Sequence, residues 1–213
     1  MRLFQRTRTD AERARSRLHV GCGQEAIPGW VNIDNRPLPG VDRVLDVTAG
    51  LPFSDVEAIY AEHFLEHLSL EQGLAFLREC RRALAASGVL RLSTPNLDWV
   101  YATHYRSERW STQRDSLVDC MQLNRAFRGW GHQFLYNPAT LLTALSSAGF
   151  ETVTFHRYGE SDRPELSNLE RHETWEDTLE LPHVLIAQAS GRAARSPFPE
   201  DLMKTWREAI ESR

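Results

Sequence analysis

A pair of glycines between two short apolar stretches most constrains the fold of this chain. The stretch Leu18–Val20 reads as a strand and runs into Gly21-Cys22-Gly23, and a second stretch, Trp30–Ile33, stops at Asp34. Glycine carries no Cβ, so the backbone at both glycines can turn sharply and approach a ligand closely. An acidic side chain that ends the next strand can accept hydrogen bonds from both hydroxyls of a ribose. The segment therefore predicts a nucleoside site at the ends of two neighbouring strands.

Two other interpretations of this segment stay open. Residues 21–26 also fit the loose dinucleotide pattern G-x-G-x-x-G/A, and glycine pairs after strands are common in turns that bind nothing. Between Gly23 and Val31 there is no room for a full crossover helix, since a parallel connection normally takes a dozen residues or more. Pro28 and Gly29 would also stop a helix there. We predict that the first crossover is reduced to a turn.

The motifs that follow have a characteristic order. Asp46 precedes Leu51-Pro52-Phe53, Glu62-His63 ends a fourth strand before Leu65-Glu66-His67, and Ser87-Gly88 precedes a fifth strand. This order resembles the class I S-adenosylmethionine-dependent methyltransferases, especially the branch often labelled type 11, over about residues 17 to 100. The resemblance implies an α/β fold with a doubly wound, mostly parallel seven-stranded sheet and an antiparallel edge strand. This is the Rossmann-like methyltransferase fold, here with a shortened first crossover helix.

The resemblance also implies S-adenosylmethionine as the cofactor and distributes its contacts. The two glycines would face the methionine part, Asp34 the ribose, and Asp46 with Val47 the rim of the adenine. Asp46 as an ordinary turn residue remains an equal alternative. The candidate cofactor-binding residues are Gly21, Cys22, Gly23, Asp34, Asp46, Val47 and Glu62.

Catalysis of methyl transfer asks for few chemical groups. The reaction is accelerated chiefly by holding the acceptor atom and the methyl carbon in near-attack geometry, with a base only where the acceptor loses a proton. His63 leaves strand four at the carboxyl edge of the sheet, where ligands gather in open α/β folds. It is the first candidate for a base or acceptor-orienting group, with a structural histidine as the alternative. His132 and Tyr136, in the glycine-hinged segment 129–136, are further catalytic candidates, with core packing of the aromatic side chains as the alternative.

The sequence His63-Phe64-Leu65-Glu66-His67 spells H-x-x-E-H, an inverted zinc-peptidase motif. Two histidines at i and i+4 of one helix can share a zinc ion while the glutamate acts as base. The motif starts at the end of a predicted strand, so His63 is expected in the turn rather than one helical turn before His67. We therefore predict no metal ion, and interpret Glu66 and His67 as structural residues that cap or orient the next helix.

Composition places the chain among ordinary globular proteins. Its 213 residues suffice for one α/β domain, with 1–16 as a basic lead-in, 17–190 as the methyltransferase-like domain and 191–213 as a helical tail. A net charge of −4 and a pI of about 6.1 argue against general nucleic-acid binding. Three widely separated cysteines suggest no disulfide framework, and no apolar run approaches a membrane span. We expect a reducing, cytoplasmic location.

The second half of the chain carries weaker signals. Residues 97–125 have aromatic and aliphatic side chains at helical spacing and predict one or two helices over the cofactor end of the sheet. Segments 150–158 and 183–189 predict an antiparallel pair of strands at the sheet edge, separated by an acidic connection at 160–181. The tail predicts a short amphipathic helix built on Leu202, Trp206 and Ile210, which we expect to dock on the domain, with a contact to a partner as the alternative.

The leading functional prediction is S-adenosylmethionine-dependent methyl transfer to a small-molecule or glycan-precursor acceptor. A non-catalytic binding or scaffold protein with this fold is the first alternative, because fold does not fix function. A nicotinamide-dependent oxidoreductase is the second. It is disfavoured because Asp34 follows Gly23 too soon, and because no helix is expected there to hold a pyrophosphate. The sequence leaves the acceptor and the oligomeric state open.

Overall fold

The computed structural model describes residues 17–172 and 180–211. The predicted basic lead-in and part of the acidic connection lie outside these ranges. Seven strands form one sheet: β1 Arg17–Val20, β2 Val31–Asp34, β3 Arg43–Val44, β4 Val56–Glu62, β5 Leu84–Pro95, β6 Thr152–His156 and β7 Val184–Ser190.

The strands follow the order β3-β2-β1-β4-β5-β7-β6 across the sheet. β1 pairs in parallel with both β2 and β4, so that Leu18 lies opposite Val31 on one side and Ile59 on the other. β3 and β5 extend the parallel part, whereas β7 runs antiparallel between β5 and β6. The predicted doubly wound, mostly parallel seven-stranded sheet is confirmed. The order of strands reverses between β1 and β4, the position where open α/β sheets bind ligands.

Five α-helices surround the sheet within the described ranges: α1 Leu70–Ala83, α2 Leu97–His104, α3 Gln113–Arg128, α4 Pro138–Ser147 and α5 Glu200–Glu211. Side chains mark where several of them begin. Ser69 and Gln72 form a capping box at α1, and Asn137 accepts from the backbone of Thr140 ahead of Pro138 at α4. No helix in the described ranges is long and apolar enough to cross a membrane.

The crossover from β1 to β2 contains no helix, as predicted from its length. A buried asparagine organises the turn in its place. The Asn32 side chain accepts from Ile27 N at 2.8 Å and donates to the carbonyls of Ile27 and Trp30 and to the carboxylate of Asp42. One side chain thus satisfies one backbone amide and two backbone carbonyls of a turn that has no helix.

The hydrophobic core lies between the sheet and α1 and α4. Leu18, Ile59 and Leu90 of the strands pack with Leu77 of α1 and Leu141 of α4, and all five are fully buried. Truncating one such leucine to alanine typically costs about 2–5 kcal/mol. The core therefore fixes the carboxyl edge of the sheet, from which the candidate site residues emerge.

The tail docks through only one of the three predicted residues, Trp206, together with Met203. Met203 of α5 is buried in the core, and the Trp206 ring meets that of Phe134 with centroids 5.2 Å apart. Leu202 and Ile210 are 58% and 49% exposed, so assigning them to the docking face was wrong. The amphipathic pattern located the helix but not its rotation about its axis.

The acidic connection is packed into the domain at two places within its described part. Leu166 is fully buried, and Glu170 pairs with Arg91 of β5 at 2.6 Å with both side chains inaccessible to solvent. Arg91 also donates to Gln188 of β7 at 2.8 Å. This part of the acidic connection is therefore not only a surface segment, because one of its carboxylates is the partner of a buried arginine.

Candidate functional site: two cavities with a shared wall

Two cavities open at the carboxyl edge of the sheet. The first, of about 450 Å³, is lined by Gly21, Asp34, Asp46 and Val47 among others, and is called the β2 cavity below. The second, of about 590 Å³, is called the histidine cavity, after His63, His67, His104, His132 and His183. His63, His67 and Trp130 line both cavities and form the wall between them.

Asp34 holds the glycine turn against the β2 cavity. Its Oδ2 accepts from Gly23 N at 2.9 Å, and its Oδ1 accepts from Arg36 N at 3.0 Å and from Arg36 Nε at 3.2 Å. Burial by itself raises the pKa of this carboxyl, but these hydrogen bonds outweigh burial and lower the pKa below its ordinary value. A carboxylate has about four acceptor sites, so capacity for further donors remains.

The glycine turn is shaped by a phenylalanine that passes over it. Gly21 has φ +67°, and a Cβ there would lie 2.5 Å from Cδ2 of Phe64, which also lines the β2 cavity. Gly23 has φ +54° with open space beside it. Cys22 is buried, and neither Cys22 nor Gly23 lines either cavity. Of these three cofactor candidates, only Gly21 reaches a cavity wall.

Asp46 is both a turn residue and a cavity residue. Its Oδ1 accepts from Thr48 N at 2.9 Å and from Thr48 Oγ1 at 2.7 Å, which caps the 3-10 helix Val47–Ala49. These bonds hold the pKa of Asp46 below its ordinary value. Asp46 and Val47 both line the β2 cavity, so the turn role of Asp46 is compatible with a place on the cavity wall, and its contact to a cofactor stays a prediction.

Glu62 is occupied by the acidic connection. Its Oε1 accepts from the backbone amides of Arg171 and His172 and lies 2.9 Å from His172 Nδ1. Burial acts to raise its pKa, but these bonds prevail and bring the pKa down to about 2. Glu62 lines neither cavity. Its position does not support a cofactor contact, because its carboxylate is turned to the 171–172 backbone.

His63 stands in the turn after β4, as expected, with φ +46°. Its Nδ1 lies 2.9 Å from Glu66 Oε1, so the neutral ring donates there and keeps its lone pair on Nε2. Nε2 is buried and has no hydrogen-bond partner among the described residues. Burial lowers the pKa of His63, yet the hydrogen bond and charge of Glu66 more than compensate and raise it.

Glu66 lies inside the site and does not cap the following helix, so its assignment as a helix-capping residue was wrong. It is fully buried, lines the histidine cavity, and its Oε2 accepts from Thr94 Oγ1 of β5 at 3.1 Å. Ser69 provides the cap of α1 instead. His67, assigned the same structural role, lines both cavities. The H-x-x-E-H segment thus bends around the cavity junction as a turn and a short 3-10 helix, Leu65–His67.

The two later catalytic candidates, His132 and Tyr136, lie in different parts of the structure. His132 lines the histidine cavity, and its Nδ1 lies 2.8 Å from the carbonyl of Ala126. Tyr136 is fully buried in the core, where its hydroxyl would touch a Cβ placed on Gly73 at 2.6 Å. It lines neither cavity. Its catalytic assignment is corrected to core packing, because a tyrosine in mid-core cannot reach a ligand at the sheet edge.

Helices α2 and α3 close the histidine cavity and supply residues that sequence reasoning missed. Trp99 and His104 come from α2, and the guanidinium of Arg125 on α3 lies over the Trp130 ring at 4.7 Å. His183 arrives from just before β7. The only signal in the sequence was the number of histidines, since five of the eight converge here from distant segments.

No family model and no curated protein matches this chain. Among solved structures, it is similar to a SAM-dependent methyltransferase from Archaeoglobus fulgidus, with 18% identity, a TM-score of 0.51, and 83% of this chain and 86% of that chain covered. A possible exported protein from Bordetella parapertussis gives 15% identity and a TM-score of 0.52 over 84% of this chain and 62% of that one.

A third similar structure is the apo form of the S-adenosylmethionine-dependent methyltransferase SibL. The identity is 14% and the TM-score 0.50, over 86% of this chain and 52% of that one. At these identities the likeness concerns the fold. Together with the strand order and the antiparallel β7, it shows that this chain has the Rossmann-like fold of S-adenosylmethionine-dependent methyltransferases.

Proposed function

We propose that this protein transfers a methyl group from S-adenosylmethionine to a small-molecule acceptor, a class that includes glycan precursors. The observation that carries the proposal is the shared wall of the two cavities. Asp34 and Gly21 line one cavity, a second cavity of about 590 Å³ adjoins it, and His63 lies between them. A donor site and an acceptor site in direct contact are what an in-line group transfer needs.

The β2 cavity suits the nucleoside part of the cofactor. Asp34 stands at the end of β2 with acceptor capacity for ribose hydroxyls, while Asp46 and Val47 lie along the next strand end, where an adenine would rest. The missing first crossover helix disfavours a dinucleotide, because no helix N-terminus is present between β1 and β2 to bind a pyrophosphate. The same absence disfavours a nicotinamide-dependent oxidoreductase.

His63 is proposed to accept the proton of the acceptor. As an acceptor oxygen attacks the sulfonium methyl carbon, the O–C bond forms, the C–S bond breaks and its electron pair stays on sulfur, leaving S-adenosylhomocysteine. The acceptor hydroxyl proton passes to Nε2 of His63, which has no partner among the described residues. Glu66, bonded to Nδ1, orients the ring and stabilises the imidazolium that forms.

The histidine cavity is proposed to hold the acceptor. Its volume is in the range of small-molecule sites, which run from about 300 to 1,000 Å³. Trp99 and Trp130 offer flat faces, and Arg125 and the histidines offer polar groups that can fix orientation. Such walls fit a compact, ring-containing acceptor better than a macromolecule.

The first test is calorimetric titration of the protein with S-adenosylhomocysteine, with NAD⁺ as the control ligand. Micromolar binding of the first alone is expected. Asp34→Asn should weaken that binding at least about tenfold, equivalent to about 1.4 kcal/mol, since it converts one acceptor into a donor. Asp42→Asn is the matched control, because Asp42 bonds the nearby Asn32 and lines neither cavity. It should bind normally. Equal affinity of a folded Asp34→Asn protein would refute the ribose contact.

The second test addresses the proton acceptor. His63→Asn keeps a residue type that tolerates positive φ and should lower methyl transfer to any hydroxyl acceptor found by about 10²–10⁴-fold. Affinity for S-adenosylhomocysteine should change far less. A protein that binds neither ligand, or binds the cofactor product but turns over with no acceptor, would support the scaffold alternative.

A further inference from the structure

Three side chains that can bind a metal ion lie close together near the wall shared by the two cavities. Glu66, His67 and His132 each offer one ligand atom, and these atoms lie within 4.8 Å of one another. Within residues 17–172 and 180–211 this is the one cluster of three such groups. The carboxylate of Glu66 is buried, whereas the imidazoles of His67 and His132 are partly exposed. All three residues line the histidine cavity, so the cluster is accessible from that cavity.

The two segments that carry these groups are joined by their backbones. Gln133 N donates to Glu66 O at 2.7 Å, Phe134 N donates to the same oxygen at 3.2 Å, and Gln133 Nε2 donates to His67 O at 2.6 Å. The 3-10 helix Leu65–His67 is thereby fastened to the strand-like segment that follows Gly131. Three cross-links adjacent to the side chains fix their relative placement before any ligand arrives.

The outer partners of the three groups match those of metal ligands. His132 donates Nδ1–H to the carbonyl of Ala126 at 2.8 Å, which leaves the Nε2 lone pair directed elsewhere. Glu66 is held by His63 Nδ1 and by the hydroxyl of Thr94. Ligating histidines almost always donate their other N–H to a carbonyl or carboxylate, and ligating carboxylates are themselves hydrogen-bonded. The imidazole of His67 makes no side-chain hydrogen bond within the described part of the chain.

We propose that Glu66, His67 and His132 bind a divalent transition-metal ion of the zinc class. Two imidazoles and one carboxylate form the ligand set of three-ligand zinc sites that keep an open coordination position. The H-x-x-E-H motif was set aside because His63 cannot share a helix face with His67. In the folded chain His132 takes the place of His63 as the third ligand, and His63 becomes a hydrogen-bonding partner of the ligating carboxylate.

Metal binding requires a small contraction of the cluster. Ligand atoms at about 2.0–2.2 Å from a tetrahedral zinc ion lie about 3.3 Å from one another. Ligand atoms within 4.8 Å can reach this spacing by rotating the partly exposed side chains of His67 and His132. Glu66 need not move, because it is already fixed by two hydrogen bonds.

The open coordination position would face the histidine cavity, which all three residues line. This consequence rests on the proposed function. An acceptor hydroxyl bound there would lose its proton more readily, because a zinc ion lowers the pKa of a bound oxygen. His63 would receive that proton, and the alkoxide would meet the methyl group at the wall shared with the β2 cavity.

The test is titration of the chelator-treated protein with Zn²⁺, followed by calorimetry, without cofactor or acceptor. All proteins carry Cys120→Ser, since Cys120 is an exposed thiol that could bind zinc by itself. One equivalent should bind. His67→Ala or His132→Ala should weaken binding by at least about 100-fold, the upper end of what even outer-partner changes cost. His104→Ala, from the same cavity but outside the cluster, should bind like the parent.

Titration with Co²⁺ and thermal melts complete the test. Visible absorption typical of four- or five-coordinate cobalt should appear in the parent and be lost in His132→Ala. Zinc should raise the melting temperature of the parent but not of that variant, which also reports whether the variant is folded. Absence of stoichiometric binding, or equal binding by a folded His132→Ala, overturns the site. S-adenosylhomocysteine binding is measured separately, so a failed metal site with intact cofactor binding leaves the proposed function standing.

Discussion

The β2 cavity and the histidine cavity share a wall but are built in opposite ways. Apart from that wall and the adjoining Phe64 and Leu68, the β2 cavity uses residues close in sequence, from Val20 to Arg36 and from Leu45 to Thr48. The histidine cavity draws on residues from His63 to His183, carried by helices, turns and strand ends. The difference teaches that one cavity can be built mainly from short segments of sequence, while its neighbour forms only when distant segments of the chain have packed together.

The two regions also differ in what stabilises them. On the β2 side, short-range hydrogen bonds dominate, such as Gly23 N to Asp34 and Ile27 N to Asn32. On the other side, the buried Arg91–Glu170 pair links β5 to the connection that supports Glu62. A local turn can fail alone, whereas loss of a buried long-range pair weakens the whole half of the molecule.

Glu170→Ala is expected to have the largest effect. Removing one partner of a fully buried ion pair leaves Arg91 as an unpaired buried charge, so the free energy of unfolding should fall by about 3–5 kcal/mol. Denaturant unfolding measures this. Glu165→Ala is the control, because its partly exposed pair with Arg163 at 3.9 Å should contribute under about 1 kcal/mol. Similar losses in both variants would show that the long-range pair has no special weight.

Gly21→Ala should have the second-largest effect on the free energy of unfolding, and it tests the glycine turn beside the β2 cavity. The φ of +67° costs an alanine about 1–2 kcal/mol, and displacing the Phe64 ring adds about 1–3 kcal/mol. Gly23→Ala shares the positive φ but has open space, so only the first cost applies. The difference between the two variants in denaturant unfolding measures the Phe64 contact. If the two are equally destabilised, Phe64 does not pack on the turn as described.

His19 makes the local side sensitive to pH. It is buried beneath the turn beside Asn32, and burial lowers its pKa from 6.5 to about 4. The folded state disfavours the charged ring, so the stabilisation is complete above pH 6.5 and is lost as the pH falls toward 4. This residue should contribute up to about 3 kcal/mol of that loss.

Replacement of His19 by asparagine isolates this dependence. The cost of the smaller side chain does not vary with pH, so the slopes and not the absolute stabilities are compared between pH 7 and 4. The variant should show a flatter profile. Parallel profiles would mean that His19 is not buried in its neutral form, and that other groups account for the acid sensitivity.

Gln133→Ala should have the smallest effect on stability, and it tests the histidine cavity rather than the β2 cavity. It removes the 2.6 Å bond to the carbonyl of His67 at an exposed position, worth about 1 kcal/mol. Affinity for S-adenosylhomocysteine should stay unchanged while zinc binding at the proposed cluster weakens. Thermal melts and the two titrations measure this. A loss of cofactor-product affinity equal to the loss of zinc affinity would contradict the separation of the two cavities.

The sequence predicted the local half of the site well. The order of motifs predicted the mostly parallel seven-stranded sheet, and the distance from Gly23 to Val31 predicted the absent helix, because chain length limits what a connection can contain. Asp34 and Asp46 both lie on the cavity wall, because Asp34 ends β2 and Asp46 follows the end of β3 by two residues. Their roles toward the cofactor remain predictions.

The long-range half resisted prediction for physical reasons. Tyr136 looked like a lid residue, but its burial depends on a pocket against Gly73 of α1 that no local pattern reveals. The sequence predicted that Glu66 caps a helix, but in the fold its carboxylate accepts a hydrogen bond from Thr94 of β5 at 3.1 Å. The carboxylate of Glu62 bonds backbone amides more than a hundred residues further along the chain and lines neither cavity. Each outcome was decided by a partner that is distant in sequence.

The short link between β1 and β2 has a consequence for how the molecule assembles. Leu18 pairs with Val31, whereas Val89 pairs with Ser190 at the other side of the sheet. Closing a short loop costs less chain entropy, so the β1–β2 ribbon is expected to form early and the β5–β7 pairing late. Substitutions in the ribbon should then slow refolding, while substitutions at β7 should mainly accelerate unfolding. In a newly synthesised chain, the strands that carry the β2 cavity would therefore pair before the segments that line the histidine cavity come together.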